Sequence, residues 1–221
     1  MAANGKSGST GLASSMTDLM TSLMVIFILL LVATLNNASA ATEDTRNIIL
    51  EQLRIDLKDF AKKGVRVEKD PADPLGLLVL VPEGLLNFAL DSAEIPKGGS
   101  EFLSAFAPRL ASTACNSRYR KEISSIVVEG HTDSSGTDEH NLDLSQKRSF
   151  SVVQETLAIL GKGEGLDKAC FIDFLAASGR GSREPIRDDQ GAEDMGRSRR
   201  VEFKIRVRSL EQREIRTILG N

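Results

Sequence analysis

A carboxylate and a guanidinium that follow a predicted strand are the best candidates for binding a ligand. Asp133 comes soon after the strand predicted over 123–129, and Asn141 and Arg148 lie on the helix predicted over 139–160. Seven residues make about two helical turns, so Asn141 and Arg148 share one helix face. Aspartate accepts hydrogen bonds from an ammonium group, and arginine holds a carboxylate through two parallel hydrogen bonds. The pattern predicts a pocket for a zwitterionic ligand.

A second candidate is an aspartate at the start of a long apolar run. Residues 19–35 form that run, and its length of roughly 26 Å as a helix is near the lower limit for a bilayer core. Asp18 is a favoured helix N-cap by residue type. Alternatively, it is an ionisable group in a membrane helix, a feature typical of ion pathways. Thr21 follows one turn later and could help to coordinate an ion or a water molecule.

The same run could instead be a cleaved signal sequence, because residues 38–40 (Ala-Ser-Ala) have the small-x-small pattern of a cleavage site. The run is long for a signal sequence, and its neighbour is Asp18 rather than a basic residue, which favours a retained span. No second run follows. We therefore expect one membrane crossing, with a cytoplasmic N-terminus and an exported C-terminal domain.

Composition narrows the possible functions. The 221 residues include 28 basic and 31 acidic side chains, which gives a net charge of −3 and argues against electrostatic capture of nucleic acid. Aromatic residues make up only 5% and tryptophan is absent, so a base-stacking platform is not expected. Cys115 and Cys170 are the only cysteines. An exported domain permits one disulfide between them, and two buried free thiols remain the alternative.

The chain is predicted to fall into five parts. These are a tail (1–17), a transmembrane helix (18–36), a linker with an amphipathic helix (37–64), an α/β domain (65–208) and a C-terminal tail helix (209–221). Strands are predicted over 65–68, 77–81, 123–129, 171–177 and 201–207, and a helix over 102–111. The linker helix carries an apolar stripe that needs a partner, either its own domain or a second copy: Ile49, Leu53, Leu57 and Phe60.

Residues 18–24 (Asp-Leu-Met-Thr-Ser-Leu-Met) resemble the membrane signature of the B subunits of ion-driven stator motors, the MotB family. The resemblance implies that Asp18 carries the transported ion, H⁺ or Na⁺, with no bound cofactor. Two features depart from the family. Met16 stands where an aromatic residue is usual, and the basic N-terminal tail of flagellar members is missing.

Residues 77–207 resemble the OmpA-like peptidoglycan-binding domain. The motifs occur in the order of that family: Gly-His-Thr-Asp at 130–133, Asn141, Leu144-Ser145, Arg148 and Arg199-Arg200. The resemblance implies an α/β sandwich with a βαβαββ-type mixed sheet and helices on one face. It assigns diaminopimelate binding to Asp133 and Arg148, with further peptidoglycan contacts from Thr132, Asn141, Leu144 and Arg199. Ser198 departs from the asparagine usual before the two arginines.

Two other kinds of site are less well supported. His131, Asp133 and His140 have metal-binding atoms but no established ligand spacing. A hydrolase triad of Ser134, His131 and Asp133 would be built from sequence neighbours, which cannot generally adopt that geometry. We expect neither a metal site nor an enzyme.

Taken together, the two modules resemble a stator unit held by the cell wall. The resemblance implies two copies of this chain inside a ring of five polytopic MotA-like A subunits, in the bacterial inner membrane with the domain in the periplasm. The link of 41 residues (36–76) is short for a flagellar member, and with the missing basic tail the chain resembles the B subunit of the Zorya anti-phage defence motor more closely. A flagellar stator B subunit and a passive wall tether are the alternatives. In flagellar members a helix near 43–63 plugs the channel, so a plug or dimer-contact role is open for the apolar stripe.

Overall fold

A computed structural model describes residues 9–162 and 168–219. Within these residues, contacts divide the chain between Ala41 and Thr42 into an N-terminal helical unit and a compact α/β unit. The predicted tail lies partly outside the described residues, at 1–8, and the predicted C-terminal helix does so at 220–221.

The first helix, α1, runs without interruption from Ser9 to Asp56. This differs from the predicted division into a tail (1–17), a membrane helix (18–36) and a linker with an amphipathic helix (37–64). The cause is local, because residues 37–46 include polar side chains but no glycine or proline to end a helix. Among the described residues, this is the one helix long and apolar enough to cross a membrane.

Five strands form one mixed sheet in the second unit. They are β1 (Arg66–Lys69), β2 (Gly76–Pro82), β3 (Ile123–His131), β4 (Leu175–Gly181) and β5 (Arg200–Val207). Their spatial order is β1-β2-β5-β3-β4, and only the β3–β4 pair is parallel. The predicted mixed α/β fold is confirmed. The order of its main elements along the chain is ββαβαββ, which is the predicted βαβαββ order preceded by β1.

Helices connect these strands and continue beyond them. They are α2 (Lys58–Ala61), α3 (Glu83–Leu86), α4 (Lys97–Ala114), α5 (Asp138–Lys162), α6 (Lys168–Ile172), α7 (Met195–Ser198) and α8 (Leu210–Leu219). The strand predicted over 171–177 is wrong at its start, because residues 171 and 172 belong to α6. A short apolar run cannot distinguish a buried strand from a buried helix turn.

The main helices pack on one face of the sheet. Along β5, the odd-numbered residues 201–207 are buried in the apolar core, whereas Arg200, Glu202, Lys204 and Arg206 belong to the other face. Phe106 of α4 lies 5.2 Å from Phe203, ring centre to ring centre. This is the predicted arrangement of helices on one face.

The apolar stripe of residues 49–60 is part of this same core. Each of its four side chains is no more than 4% exposed, and Phe60 packs edge-on against Phe102 at 5.7 Å and Phe106 at 5.6 Å. The partner of the stripe is therefore its own domain. Removing it from the core would expose four large side chains at a cost of roughly 1.5–3 kcal/mol each.

Two glycines let α5 approach the sheet. A Cβ atom at Gly130 would collide with the carbonyl oxygen of Ser145, and one at Gly179 would lie only 2.5 Å from the amide nitrogen of Gln146. This close approach holds the first turns of α5 beside the end of β3, where the predicted ligand residues are found. A disulfide between Cys115 and Cys170 joins the end of α4 to α6. Of the two alternatives for these cysteines, a disulfide or two free thiols, the structure has the disulfide.

Candidate functional site

Asp133 is held in place by the loop that follows β3. Its Oδ1 accepts a hydrogen bond from the backbone amide of Ser135 at 3.0 Å, and its Oδ2 accepts one from Nη1 of Arg199 at 2.6 Å. Burial on its own raises the pKa of Asp133, but the bonds from Arg199 and Ser135 outweigh it and hold the pKa below its ordinary value. The carboxylate is therefore ionised at neutral pH.

Arg199 connects Asp133 to a second carboxylate. While its Nη1 contacts Asp133, its Nε donates to Oε2 of Glu83 at 2.7 Å. The hydrogen bonds from Arg199 to these carboxylates raise the pKa of Arg199 further. Its side chain remains 40% exposed, so Arg199 is the member of this group that solvent reaches most readily.

Arg148 is anchored by several groups of its own domain. Nη1 donates to Oε1 of Glu83 at 2.9 Å, Nε to the carbonyl of Ser92 at 2.9 Å and Nη2 to the carbonyl of Ala89 at 3.3 Å. The guanidinium also lies over the ring of Phe88, 5.0 Å from its centre. Burial lowers the pKa of Arg148, and the charge of Glu83 opposes that effect.

The four charged side chains form one network in the order Asp133–Arg199–Glu83–Arg148. No hydrogen bond or ion pair among the described residues joins Asp133 directly to Arg148, so the predicted pair shares a network rather than a contact. Glu83 is the residue that the sequence analysis missed. Its position follows from the pairing of Pro82 with Arg200 across β2 and β5, a long-range register that no local motif reveals.

The remaining predicted residues shape the loop beside this network. Asn141 donates from Nδ2 to the carbonyls of Ser135 at 2.8 Å and Asp133 at 3.3 Å, so it fixes the backbone around the carboxylate. The Thr132 hydroxyl is buried and has no hydrogen-bond partner within the described residues. Leu144 lies half-buried on α5.

The network is suited to a ligand with both charges. It contains two carboxylates and two guanidiniums, so its net charge is zero. A ligand with a single charge is therefore attracted only weakly by the network as a whole. Asp133 can accept hydrogen bonds from an ammonium group, and Arg199 can donate hydrogen bonds to a carboxylate. Arg148 becomes available to a ligand only if Glu83 gives up its hydrogen bond.

The three residues considered for a metal site do not come together. Nε2 of His140 lies 2.6 Å from Oδ1 of Asp91, whereas Asp133 is engaged by Arg199. His131 is buried in the sheet, and neither of its ring nitrogens has a hydrogen-bond partner in the described part of the chain. These contacts give no common point for one ion.

A different cluster, Glu129, His131 and Glu184, places its potential ligand atoms within 4.8 Å of one another. Cationic side chains already compensate its carboxylates, because Nζ of Lys204 lies 2.7 Å from Glu129 and Arg180 pairs with Glu184. The cluster is therefore suited to internal ion pairing, and a metal ion would have to displace these cations.

Glu202 belongs to the same buried charge cluster. Its Oε1 accepts a hydrogen bond from Nε of Arg200 at 2.6 Å, and its Oε2 lies 3.6 Å from Nε2 of His131, beyond hydrogen-bond distance. Burial raises the pKa of Glu202, but interactions with His131 and Arg200 outweigh it and bring the pKa to about 2. Ionised Glu202 thus stabilises the sheet face opposite the helices.

Asp18 lies inside α1 rather than at its end. The helix begins at Ser9, more than two turns earlier, so Asp18 cannot be the N-cap that its residue type allowed. The hydroxyl of Thr21 donates to the carbonyls of Thr17 at 2.8 Å and Asp18 at 3.0 Å. Because its proton is used by the helix, the Thr21 oxygen is left to accept a hydrogen bond or to face a cation.

A long apolar helix and a mixed-sheet domain with this charged network define a membrane-anchored protein with an OmpA-like domain. The model of the OmpA family matches residues 87–199, just over half of the chain, and the chain belongs to that family. Across more of its length, the chain is similar to the Zorya protein ZorB of Escherichia coli. The two are 29% identical over 205 residues, which cover 86% of each chain.

Solved structures agree with this assignment. The cell wall anchor of the T6SS from Pseudomonas aeruginosa is 27% identical, covers 71% of this chain and 97% of its own, and superposes with a TM-score of 0.50. A MotB-like protein from Desulfovibrio vulgaris, 20% identical, covers 77% of this chain and 96% of its own, with a TM-score of 0.54, and shares the fold. The predicted resemblance to a MotB-like B subunit of the Zorya type is confirmed by these findings.

Proposed function

We propose that this chain is the B subunit of an ion-driven membrane motor of the Zorya type, which acts in anti-phage defence. The observation that carries the proposal is the similarity to ZorB over 86% of both chains, well beyond the OmpA domain. In this function the domain grips peptidoglycan and the apolar helix carries H⁺ or Na⁺ past Asp18. No enzymatic step and no cofactor are involved.

The placement of Asp18 supports the ion-carrying part. The carboxylate lies within a helix whose following side chains, including Leu23, Ile26 and Phe27, are all exposed in the isolated chain. Apolar side chains of this kind require lipid or partner helices around them, and an ionisable group among them is costly unless it has a function. Each ion that moves down a potential of 100 mV releases roughly 2.3 kcal/mol, which is the energy available to the motor.

Partners follow from the same proposal. A single helix per chain cannot enclose an ion path, so the path must lie between this helix and others. We infer two copies of this chain within a ring of five MotA-like A subunits, and their two carboxylates would be neutralised in turn.

The charged network supports the peptidoglycan-binding part. Diaminopimelate carries an ammonium and a carboxylate on one carbon, which fit Asp133 and Arg199 respectively. The Cys115–Cys170 disulfide supports a periplasmic location for this domain, since disulfides persist in oxidising compartments. The N-terminus would then be cytoplasmic.

Binding of purified peptidoglycan by the full-length chain in neutral detergent tests the wall-anchoring part. Asp133→Asn keeps the size of the side chain but removes its charge, and we expect binding to fall at least tenfold. Asp143→Asn is the matched control, because that aspartate is exposed on α5 and pairs with Lys147, away from the network. Equal binding by both variants would show that the ligand does not use this network.

A passive wall tether is the second candidate, favoured by the similarity to the T6SS cell wall anchor. Affinity purification from native membranes separates the two functions. A motor subunit is expected to bring down a polytopic companion, and phage protection is expected to be lost in Asp18→Asn. A tether would purify without such a companion and would tolerate Asp18→Asn while remaining sensitive to Asp133→Asn.

A further inference from the structure

A basic cleft lies at the end of the sheet domain, away from the residues assigned to peptidoglycan. Its cavity of about 790 Å³ is bordered by the α8 helix and the loop before β3. Five cationic side chains line it, Arg120, Lys121, Arg208, Arg213 and Arg216, against two acidic ones, Glu122 and Asp173. The described lining therefore carries a charge of 5 − 2 = +3, whereas the whole chain carries −3.

The two acidic residues of the lining balance only part of its positive charge. Glu122 pairs with Nη1 of Arg213 at 2.9 Å, but Nε and Nη2 of Arg213 are buried without hydrogen-bond partners among the described residues. Nε of Arg208 is buried and unpartnered in the same way. Burial and the like charge of nearby Arg216 lower the pKa of Arg208. Cations assembled at such cost favour an anionic ligand, and guanidinium groups match the oxygens of a phosphate.

An exposed apolar face adjoins these charges on α8. Ile215 is 56% exposed and Ile218 is 81% exposed, and the two lie three residues apart on the same helix as Arg213 and Arg216. A short helix with basic and apolar groups side by side is typical of segments that lie in the interface of an anionic membrane. Peptidoglycan offers anionic groups but no apolar layer to receive the isoleucines.

The cleft is also tied closely to the apolar run by sequence. Nη1 of Arg213 lies 3.4 Å from the hydroxyl of Thr45, and Thr45 follows Leu35, the end of the run, by only ten residues. In sequence, the cleft is thus joined to the predicted membrane span by a short segment.

We propose that the cleft and α8 bind the surface of the membrane, with the phosphate of an anionic phospholipid among Lys121, Arg208 and Arg216 and with Ile215 and Ile218 in the interface. The inference rests on the membrane location in the proposed function but not on ion transport. Such a contact would hold the domain at the membrane surface by its own residues.

A tryptophan introduced as Ile218→Trp reports on this contact, because the chain has no other tryptophan. The full-length variant is placed in nanodiscs of phosphatidylcholine alone or of phosphatidylcholine with phosphatidylglycerol, with brominated acyl chains as quenchers. We expect a blue-shifted, quenched emission only when phosphatidylglycerol is present. In that background, Lys121→Gln with Arg216→Gln is expected to weaken the association about fivefold per charge removed.

The matched control removes two exposed lysines elsewhere, Lys97→Gln with Lys147→Gln, which are 92% and 64% exposed, and is expected to retain the quenching. Equal quenching in both nanodiscs, or none in either, would overturn the proposal. So would phosphate binding by the full chain in neutral detergent without any response to phosphatidylglycerol, or loss of peptidoglycan binding in Lys121→Gln with Arg216→Gln. Failure of the chain to enter nanodiscs would instead contradict the proposed membrane span.

Discussion

Arg148 donates a hydrogen bond from Nη1 to Oε1 of Glu83 at 2.9 Å, so the guanidinium predicted to hold a ligand carboxylate is already paired with its own domain. The side chain of Arg148 is only 8% exposed, and that of Glu83 is 19% exposed. The pair is thus mostly removed from water. At such a buried site, the loss of one partner leaves the charge of the other uncompensated. Arg148 has a structural role whether or not it also touches a ligand.

Glu83→Gln should destabilise the fold. The change leaves two guanidiniums, Arg148 and Arg199, without their shared carboxylate, and we expect the free energy of unfolding to fall by about 3 kcal/mol. Chemical denaturation of the full-length chain in neutral detergent, followed by circular dichroism, measures the change. Glu51→Gln removes an exposed ion pair to Arg54 and should have little effect. Equal stability of the two variants would show that Glu83 is dispensable.

The disulfide should contribute strongly to stability. Cys115 and Cys170 close a loop with a sequence separation of 55 residues, for which the chain-entropy model gives about 4 kcal/mol. We expect Cys115→Ser with Cys170→Ser to lower the free energy of unfolding by that order. A reductant should lower the stability of the parent chain and leave the double variant unchanged. An unaffected parent chain would contradict the expectation.

Acid should destabilise the chain partly through Glu202. Its pKa is about 2 in the folded state, below the ordinary value of 4.5, so on acidification the unfolded state takes up this proton first. The stabilisation from Glu202 is therefore complete above pH 4.5 and is lost as the pH falls toward 2, by up to about 3 kcal/mol.

Denaturation curves across that pH range test the role of Glu202. Glu202→Gln should be less stable at neutral pH and should lose less stability between pH 4.5 and 2. Glu101→Gln, whose side chain is 69% exposed, should keep the slope of the parent chain. A parent-like slope in Glu202→Gln would assign the acid sensitivity to other groups.

Local sequence patterns predicted most of the helices and strands but not all of their boundaries. The alternation of residues 201–207 and the apolar run at 77–81 identified β5 and β2, because strand periodicity is encoded locally. The continuity of α1 was missed because polar residues after the apolar run resembled a linker. Helix formation there requires only the absence of a breaker, which is a weak local signal.

The sequence predicted three of the residues in the candidate site but not the contacts between them. Asp133, Arg148 and Arg199 all belong to the network, as the motif order indicated. The sequence could not show that Arg199 rather than Arg148 contacts Asp133, or that Glu83 joins the two arginines. Both facts depend on the register between β2 and β5, which lie more than a hundred residues apart.

Ion flux through the assembled complex tests the central claim, that Asp18 carries the transported ion. The chain, purified with its expected A subunits, is placed in vesicles under an imposed ion gradient, and flux is compared for Asp18→Asn and Asp44→Asn. Asp44 is an exposed aspartate beyond the apolar run and provides a matched loss of charge. We expect Asp18→Asn to assemble normally and to conduct no ions, while Asp44→Asn conducts like the parent. Undiminished flux through an assembled Asp18→Asn complex would contradict the claim.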